Sequence, residues 1–232
     1  MCGIFGYVGA EADTGDMVLQ ALKRLEYRGY DSWGVAVGVN GHIEIEKSVG
    51  KIGTAMLDLP ASDIGFGHTR WATHGGVNYA NAHPIRDSTG RIAVIHNGII
   101  ENFRSLRATL VEDGYHFVSD TDTEVVAHLV SKALGDSESP EAVRAAVAGA
   151  FMQLRGLNAI IILDRWSRTL TAVKHVSPLV VGRNGRGSFI ASDTLALAGH
   201  ADTVSYLEDY QLVQLSHIGI VSVDVRDSSP IP

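Results

Sequence analysis

The chain's single cysteine is its second residue, Cys2, in the opening run MCGIFGYVGA. Removal of Met1 would give that residue a free α-amine beside its thiol. An unperturbed thiol titrates near ~8.5 and an α-amine near ~8, so the amine can take the thiol's proton at little cost. Nucleophile and base would then share one residue, ready to attack a carbonyl carbon; a retained Met1 would acylate the amine and remove the base. A second concentration of chemistry lies in GHTRWATHGG, where His68, Arg70, Trp71, Thr73 and His74 fall within seven positions. A loop of this kind between two apolar runs is where binding residues gather on a rigid scaffold. His68, His74, His83 and His96 raise the question of a metal. None pairs at the i, i+4 spacing of a helical zinc motif, and no cysteine or dense carboxylate set adjoins them, so no metal is expected.

These residues need elements to hold them. CGIFGYVG reads as a buried strand. From Thr14 to Leu25 the spacing of Met17, Val18, Ala21, Leu22 and Leu25 predicts a helix with one apolar face. GVAVGV and HIEIEKSV flank Asn40-Gly41, a hairpin signal. IGFGHTR and RIAVIHNG read as two further strands, separated by a long polar loop over residues 71–90. Helices are expected near 102–113, from 122 to about 134, and from Pro140 to about Met152. Thr121 with Glu124 reads as a capping box for the middle one, and Pro140 suits a first helical position. The C-terminal third is strand-rich: LNAIIILD, TLTAVKH, PLVVG, GSFIAS, QLVQLS and GIVSVDV. Helices and strands cluster instead of alternating strictly, which favours an α+β fold with largely antiparallel sheets. The whole chain, 1–232, reads as one domain, with RDSSPIP (about 226–232) as the start of a linker.

Composition narrows the classes. With 45% hydrophobic and 19% charged residues, the chain can bury a sizeable core. A net charge of −7 and a pI near 5.8 argue against a nucleic-acid partner, which would call for a basic face. One cysteine excludes an internal disulfide. The start lacks a basic stretch followed by a long apolar one, and no apolar run is long enough to span a bilayer. A cytoplasmic setting without membrane contact is the expectation.

In order along the chain, MCGIFGYVG, LEYRGYDS, GHTRWATHG, NAHP, HNGIIENF and SDTDTEVVAHL resemble the motifs of the class II glutamine amidotransferases. SPLVVG and FIASD extend the likeness to about Val225. RGYDS together with GHTRWATHG is most similar to the sugar-aminotransferase branch of that family. The resemblance implies an N-terminal-nucleophile hydrolase fold, a four-layer αββα sandwich of two antiparallel sheets between helical layers. It implies hydrolysis of L-glutamine to glutamate and ammonia through a γ-glutamyl thioester on Cys2, with no cofactor. The Asn97 side-chain amide and the Gly98 backbone N–H would hold the oxyanion. Arg70 would grip the substrate α-carboxylate, assisted by Thr73 and His74, and Asp122 the α-ammonium. Trp71 matches a gate on the ammonia passage, Arg28 would support Cys2, and His83 would orient the loop. The ammonia would pass to fructose 6-phosphate on a sugar-isomerase domain or subunit that the 232 residues do not include. Two other readings share these motifs: a stand-alone glutaminase serving another acceptor, and a non-catalytic glutamine-binding regulatory module. The chain departs from the family pattern at Trp33, where a small residue is usual, at Ile85 in place of a frequent histidine, and at Tyr210-Gln211.

Overall fold

Alternation governs both sheets of this protein, for which a computed structural model describes residues 2–231. Met1, whose removal the sequence reading invokes, lies outside the described residues. The elements run β1 (Gly3–Gly9), α1 (Thr14–Leu25), β2 (Ser32–Val39), β3 (His42–Val49), β4 (Ile64–Arg70), β5 (Ile85–Arg86), β6 (Ile92–Gly98), α2 (Phe103–Glu112), α3 (Glu124–Leu134) and α4 (Pro140–Phe151). The chain continues through β7 (Asn158–Asp164), β8 (Thr169–His175), β9 (Val180–Asn184), β10 (Gly187–Ala191), β11 (Thr203–Tyr206), β12 (Gln211–Ser216) and β13 (Gly219–Asp224). One sheet has seven strands in the order β11-β9-β10-β1-β4-β2-β3, the other six in the order β13-β12-β8-β7-β6-β5. Every pairing within them is antiparallel.

Strand side chains point alternately to opposite faces, and here both faces of each sheet are covered. Ile4, Ile64, Phe66, Ala93, Ile95, Ile161 and Leu163 meet between the sheets. Phe5, Tyr7, Val35 and Phe189 face outward onto α1 through Val18, Leu19 and Leu22. On the opposite side Ile92, Val94, Ile160 and Ile162 pack against α3 and α4 through Val126, Val130, Val143 and Val147. The result is four layers, helix–sheet–sheet–helix, as the resemblance implies. No helix among the described residues is long and apolar enough to cross a membrane.

Most elements lie where the spacing puts them. α1 and β4 coincide with the expected residues, and Asn40 and Gly41 turn the β2–β3 hairpin with positive φ of 49° and 76°. Ser139 caps α4, accepting from the Ala142 N–H at 3.1 Å, with Pro140 in its first turn. Three readings are corrected. The Thr121–Glu124 capping box does not form, because Glu124 is itself the first residue of α3. Its carboxylate instead accepts from the Val118 and Ser119 N–H groups at 2.8 and 2.7 Å, tying down the approach to the helix. β5 interrupts the expected loop over residues 71–90; two residues are too few to show a period. β11 escaped the sequence because all four of its residues are exposed at a sheet edge, so no alternation marks it. The tail after β13 turns back, with Ile231 N–H donating to Ser222 O and Pro230 bridging to Val223.

Close approach of α1 to its sheet depends on glycine in β4. A Cβ on Gly67 would stand 2.7 Å from Val18 Cγ1 and 2.8 Å from both Leu22 Cδ1 and Gly34 O. Gly67→Ala is therefore expected to lower stability by about 1–3 kcal/mol through overpacking. Urea unfolding should show a lower midpoint with an unchanged slope.

Candidate active site

At one end of the inter-sheet core the inward positions turn polar. Along β4 they run Ile64, Phe66, His68, Arg70, along β6 Ala93, Ile95, Asn97, and on the first strand Cys2 precedes Ile4 by two. The period that fills the core therefore delivers Cys2, Arg70 and Asn97 to a single cavity of about 480 Å³, with His68 fully buried against Asn97. That volume lies within the range of small-molecule sites.

Cys2 is half-buried just before β1, which is anchored by the Gly3 N–H donating to Thr69 Oγ1 at 3.1 Å. The thiol lies between the two ends of one residue: the Trp71 N–H donates to Sγ at 3.1 Å, and Trp71 O is 3.6 Å away. Burial pushes the thiol's pKa up, against the opposing effects of the Trp71 N–H and the Arg70 and Arg28 charges. The Cys2 carbonyl accepts from Asn97 Nδ2 at 2.9 Å and Arg28 Nε at 3.1 Å. Arg28 is steadied by Asp193 at 2.9 Å, which also accepts from the Tyr27 hydroxyl at 2.8 Å.

Asn97 and Gly98 end β6. Asn97 Oδ1 meets His68 Nε2 at 3.0 Å, so one amide N–H is committed to Cys2 O and the other is left to the cavity. Gly98 has φ +136°, and a Cβ there would lie 1.8 Å from Leu157 O; only glycine fits.

Arg70 closes β4 with its guanidinium folded onto the following loop. Nη1 donates to Gly76 O at 3.3 Å and Nη2 to His74 O and Gly75 O, leaving donors on Nε and Nη1. Asp31 holds the same loop, accepting from Ala72 N–H at 2.9 Å and donating its own N–H to Arg70 O at 3.0 Å. Trp71, 48% exposed, stands at the mouth with its ring edge-on to Tyr30 at 5.6 Å. Thr73 lines the cavity. His74 does not: its ring packs on Phe103 at 5.1 Å, and only its carbonyl serves Arg70.

Asp122 is buried, and its Oδ2 accepts from Ile100 N–H at 2.7 Å. Helix α3 begins two residues later, so this carboxylate serves the cavity wall and not the helix's first turn. His83 lines the cavity with its ring 4.5 Å from that of His68. His96, between Thr123 Oγ1 at 3.0 Å and Asn158 Oδ1 at 2.9 Å, lines it too. His68, His74, His83 and His96 do not gather as a metal-holding set, and no such set exists among the described residues.

All the residues given a site role from the sequence except His74 therefore line one cavity, while His68 of the same cluster is buried outside its lining. The sequence reading assigned no role to Asp31, Asp193 or Thr123 and weighed His96 only as a metal ligand; all four sit inside the quoted motifs LEYRGYDS, FIASD, SDTDTEVVAHL and HNGIIENF, which was the available signal. Trp33 fills the core on the α1 side, 3% exposed, and does not narrow the cavity. Ile85 is buried in β5, and Tyr210 stacks on His175 at 4.7 Å, outside the cavity lining.

The sequence profile of glutamine amidotransferase domains matches residues 68–199. The isomerizing glutamine–fructose-6-phosphate aminotransferase of Zymomonas mobilis is 44% identical over 98% of this chain and 37% of its own length. That of Streptomyces coelicolor is 45% identical over 99% of this chain and 38% of its own. The chain thus spans little more than a third of these curated relatives. Among solved structures, the glutamine phosphoribosylpyrophosphate amidotransferase of B. subtilis, complexed with ADP and GMP, superposes with a TM-score of 0.82 at 24% identity, over 97% of this chain and 49% of that one. At that identity the likeness shows the shared N-terminal-nucleophile fold.

Burial has a consequence for acid stability. It pushes His68 down to about 3, His83 well below the ordinary histidine value, and His96 down as well. A histidine neutral when folded takes up a proton only on unfolding, so its effect is absent above ~6.5 and destabilising as pH falls below it. Between pH 7 and 5 His68 should remove about 2 kcal/mol of stability, and His83 and His96 act in the same direction. Urea midpoints measured at the two pH values check this, and equal midpoints would refute it.

Proposed function

Because this chain belongs to the glutamine amidotransferase domain family, we propose that it hydrolyses L-glutamine to L-glutamate and ammonia through a thioester on Cys2. The observation that carries the reading is the position of Sγ. It lies 3.1 Å from the Trp71 N–H, in a cavity that also receives Asn97, Gly98, Arg70 and Asp122.

With Cys2 as the first residue, its α-amine takes the thiol proton and Sγ attacks the side-chain amide carbon of glutamine. The C=O π electrons move to oxygen. The free N–H of Asn97 and the Gly98 N–H meet that oxyanion, where a single preorganised donor is worth about 10²–10³ in rate. The α-ammonium returns its proton to the amide nitrogen, the C–N bond breaks, and ammonia leaves. Water, deprotonated by the same amine, attacks the γ-glutamyl thioester and releases glutamate and the thiol. Arg70 suits the substrate α-carboxylate because its planar fork bonds carboxylates bidentately; Thr73 stands on the same loop. The buried carboxylate of Asp122, with Oδ2 already bonded to Ile100 N–H, presents its other oxygen to the α-ammonium. His74 contributes a carbonyl that holds Arg70, and Arg28 a donor that holds the Cys2 carbonyl.

The relatives named as glutamine–fructose-6-phosphate aminotransferases support the further reading that the ammonia serves glucosamine 6-phosphate synthesis from fructose 6-phosphate. A sugar-isomerase domain or subunit would carry out that step. The exposed Trp71 at the cavity mouth would lie on the ammonia's exit.

Incubation with 6-diazo-5-oxo-L-norleucine, a glutamine-like electrophile, should add one adduct, on Cys2. Cys2→Ala should take none and lose more than 10³-fold in glutamate release. A chain that binds glutamine yet neither turns it over nor takes the adduct would be a regulatory binding module. Arg70→Lys should raise KM for glutamine about tenfold or more with a smaller change in kcat, because it loses the bidentate fork.

A further inference from the structure

We propose that His68 is the positioning residue of this site, whose Nε2–H holds the Asn97 amide so that its nitrogen, and not its oxygen, faces the reacting carbonyl. The inference rests on the glutaminase reading above. A primary amide is nearly symmetric in shape, so its hydrogen-bond partners decide which end points where. Turned over, Asn97 would aim an oxygen at the developing oxyanion and repel it. Two contacts oppose that turn: Asn97 Nδ2 donates to Cys2 O at 2.9 Å, and Asn97 Oδ1 meets His68 Nε2 at 3.0 Å. The first engages one N–H only. The second satisfies the buried oxygen and leaves the remaining N–H directed to the cavity.

The placement of His68 is hard to explain by packing. It is fully buried on β4, one inward step beyond Phe66, where a leucine would extend the apolar core between the sheets. A leucine there would also need no polar partner, whereas the imidazole brings two ring nitrogens into the buried space beside Asn97. With Asn97 Nδ2 committed to Cys2 O, the atom facing Nε2 is the amide oxygen, an acceptor, so the geometry places the proton on Nε2. His83, whose ring stands 4.5 Å away, braces the imidazole from the cavity side. Burial keeps His68 neutral down to about pH 3, so this donor does not change with pH in the working range.

The test compares His68→Leu, His68→Gln, Asn97→Ala and the Leu/Ala double variant with wild type, in the full chain with Cys2 first. His68→Leu should lower kcat about 10²-fold, the scale of an oxyanion donor, with KM within threefold. His68→Gln carries an amide N–H near the Nε2 position and should recover tenfold or more of that loss, which a loss through misfolding would not permit. The double variant should be no more than threefold slower than Asn97→Ala alone. A His68→Leu kcat within threefold of wild type, or a double-variant loss equal to the product of the single losses, would overturn the proposal. Histidine ¹⁵N NMR of the wild type supplies a readout independent of turnover. An Nε2–H tautomer is expected, and an Nδ1–H tautomer overturns the assignment whatever the chain catalyses. An inactive wild type that shows the Nε2–H tautomer would sink the glutaminase reading while supporting the orientation of Asn97.

Discussion

The pairing of β1 with β4, Gly3 opposite Thr69 and Ile4 opposite His68, fixes where the thiol can be. Side chains alternate across a strand, so a slip of one residue would carry Ile4 out of the inter-sheet core and turn Cys2 away from Asn97. The slip is opposed from both sides, because β10 pairs with the other edge of β1 and Ser192 Oγ accepts from Ile4 N–H at 3.0 Å. The same register sets Trp71 beside Sγ and Arg70 beside the cavity, since both follow Thr69 without a break. Pairing along one strand thus positions the proposed nucleophile, the group hydrogen-bonded to it and the proposed carboxylate grip.

The second sheet enters across the core. Asn97 reaches the Cys2 carbonyl because β6 presents Ala93, Ile95 and Asn97 to the face opposite β4. The polar cluster is buried, and buried polar groups are costly without partners. Most here have them: Asn97 from His68 and Cys2, Arg28 from Asp193, Asp122 from Ile100, His96 from Thr123 and Asn158. His83 does not; neither ring nitrogen has a partner among the described residues, although the ring faces the cavity.

Much of this was legible in the sequence because one physical signal, side-chain periodicity, survives without tertiary information. It marks β4, β8, β12 and α1 to within a residue or two. It fails at β5, which is too short, and at β11, which buries nothing. The capping-box motif at Thr121 failed for a different reason: Ser119 and Val118 offered Glu124 better donors than a helix end that starts later. For the site, the cluster from His68 to His74 and the position of Cys2 were visible as residue types. Their roles came from resemblance, since no spacing says that His74 turns onto Phe103 or that Asp31 grips Ala72. Local pattern records which face a side chain takes, and long-range pairing decides what it meets there.

In its proposed role as the carboxylate grip, the folded-over guanidinium of Arg70 shifts the entropy of recognition from the encounter with ligand to the folding of the chain. Three carbonyls of residues 74–76 already fix it, so an arriving carboxylate need not order a long, mobile side chain. The loop that supplies those carbonyls depends in turn on Gly75 at φ +75° and on Asn81, which donates to Gly76 O at 3.0 Å and accepts from Asp120 N–H at 2.9 Å. Affinity and local stability are therefore coupled quantities here. Residues that never touch a ligand set part of its dissociation constant by setting how completely the empty site is already formed.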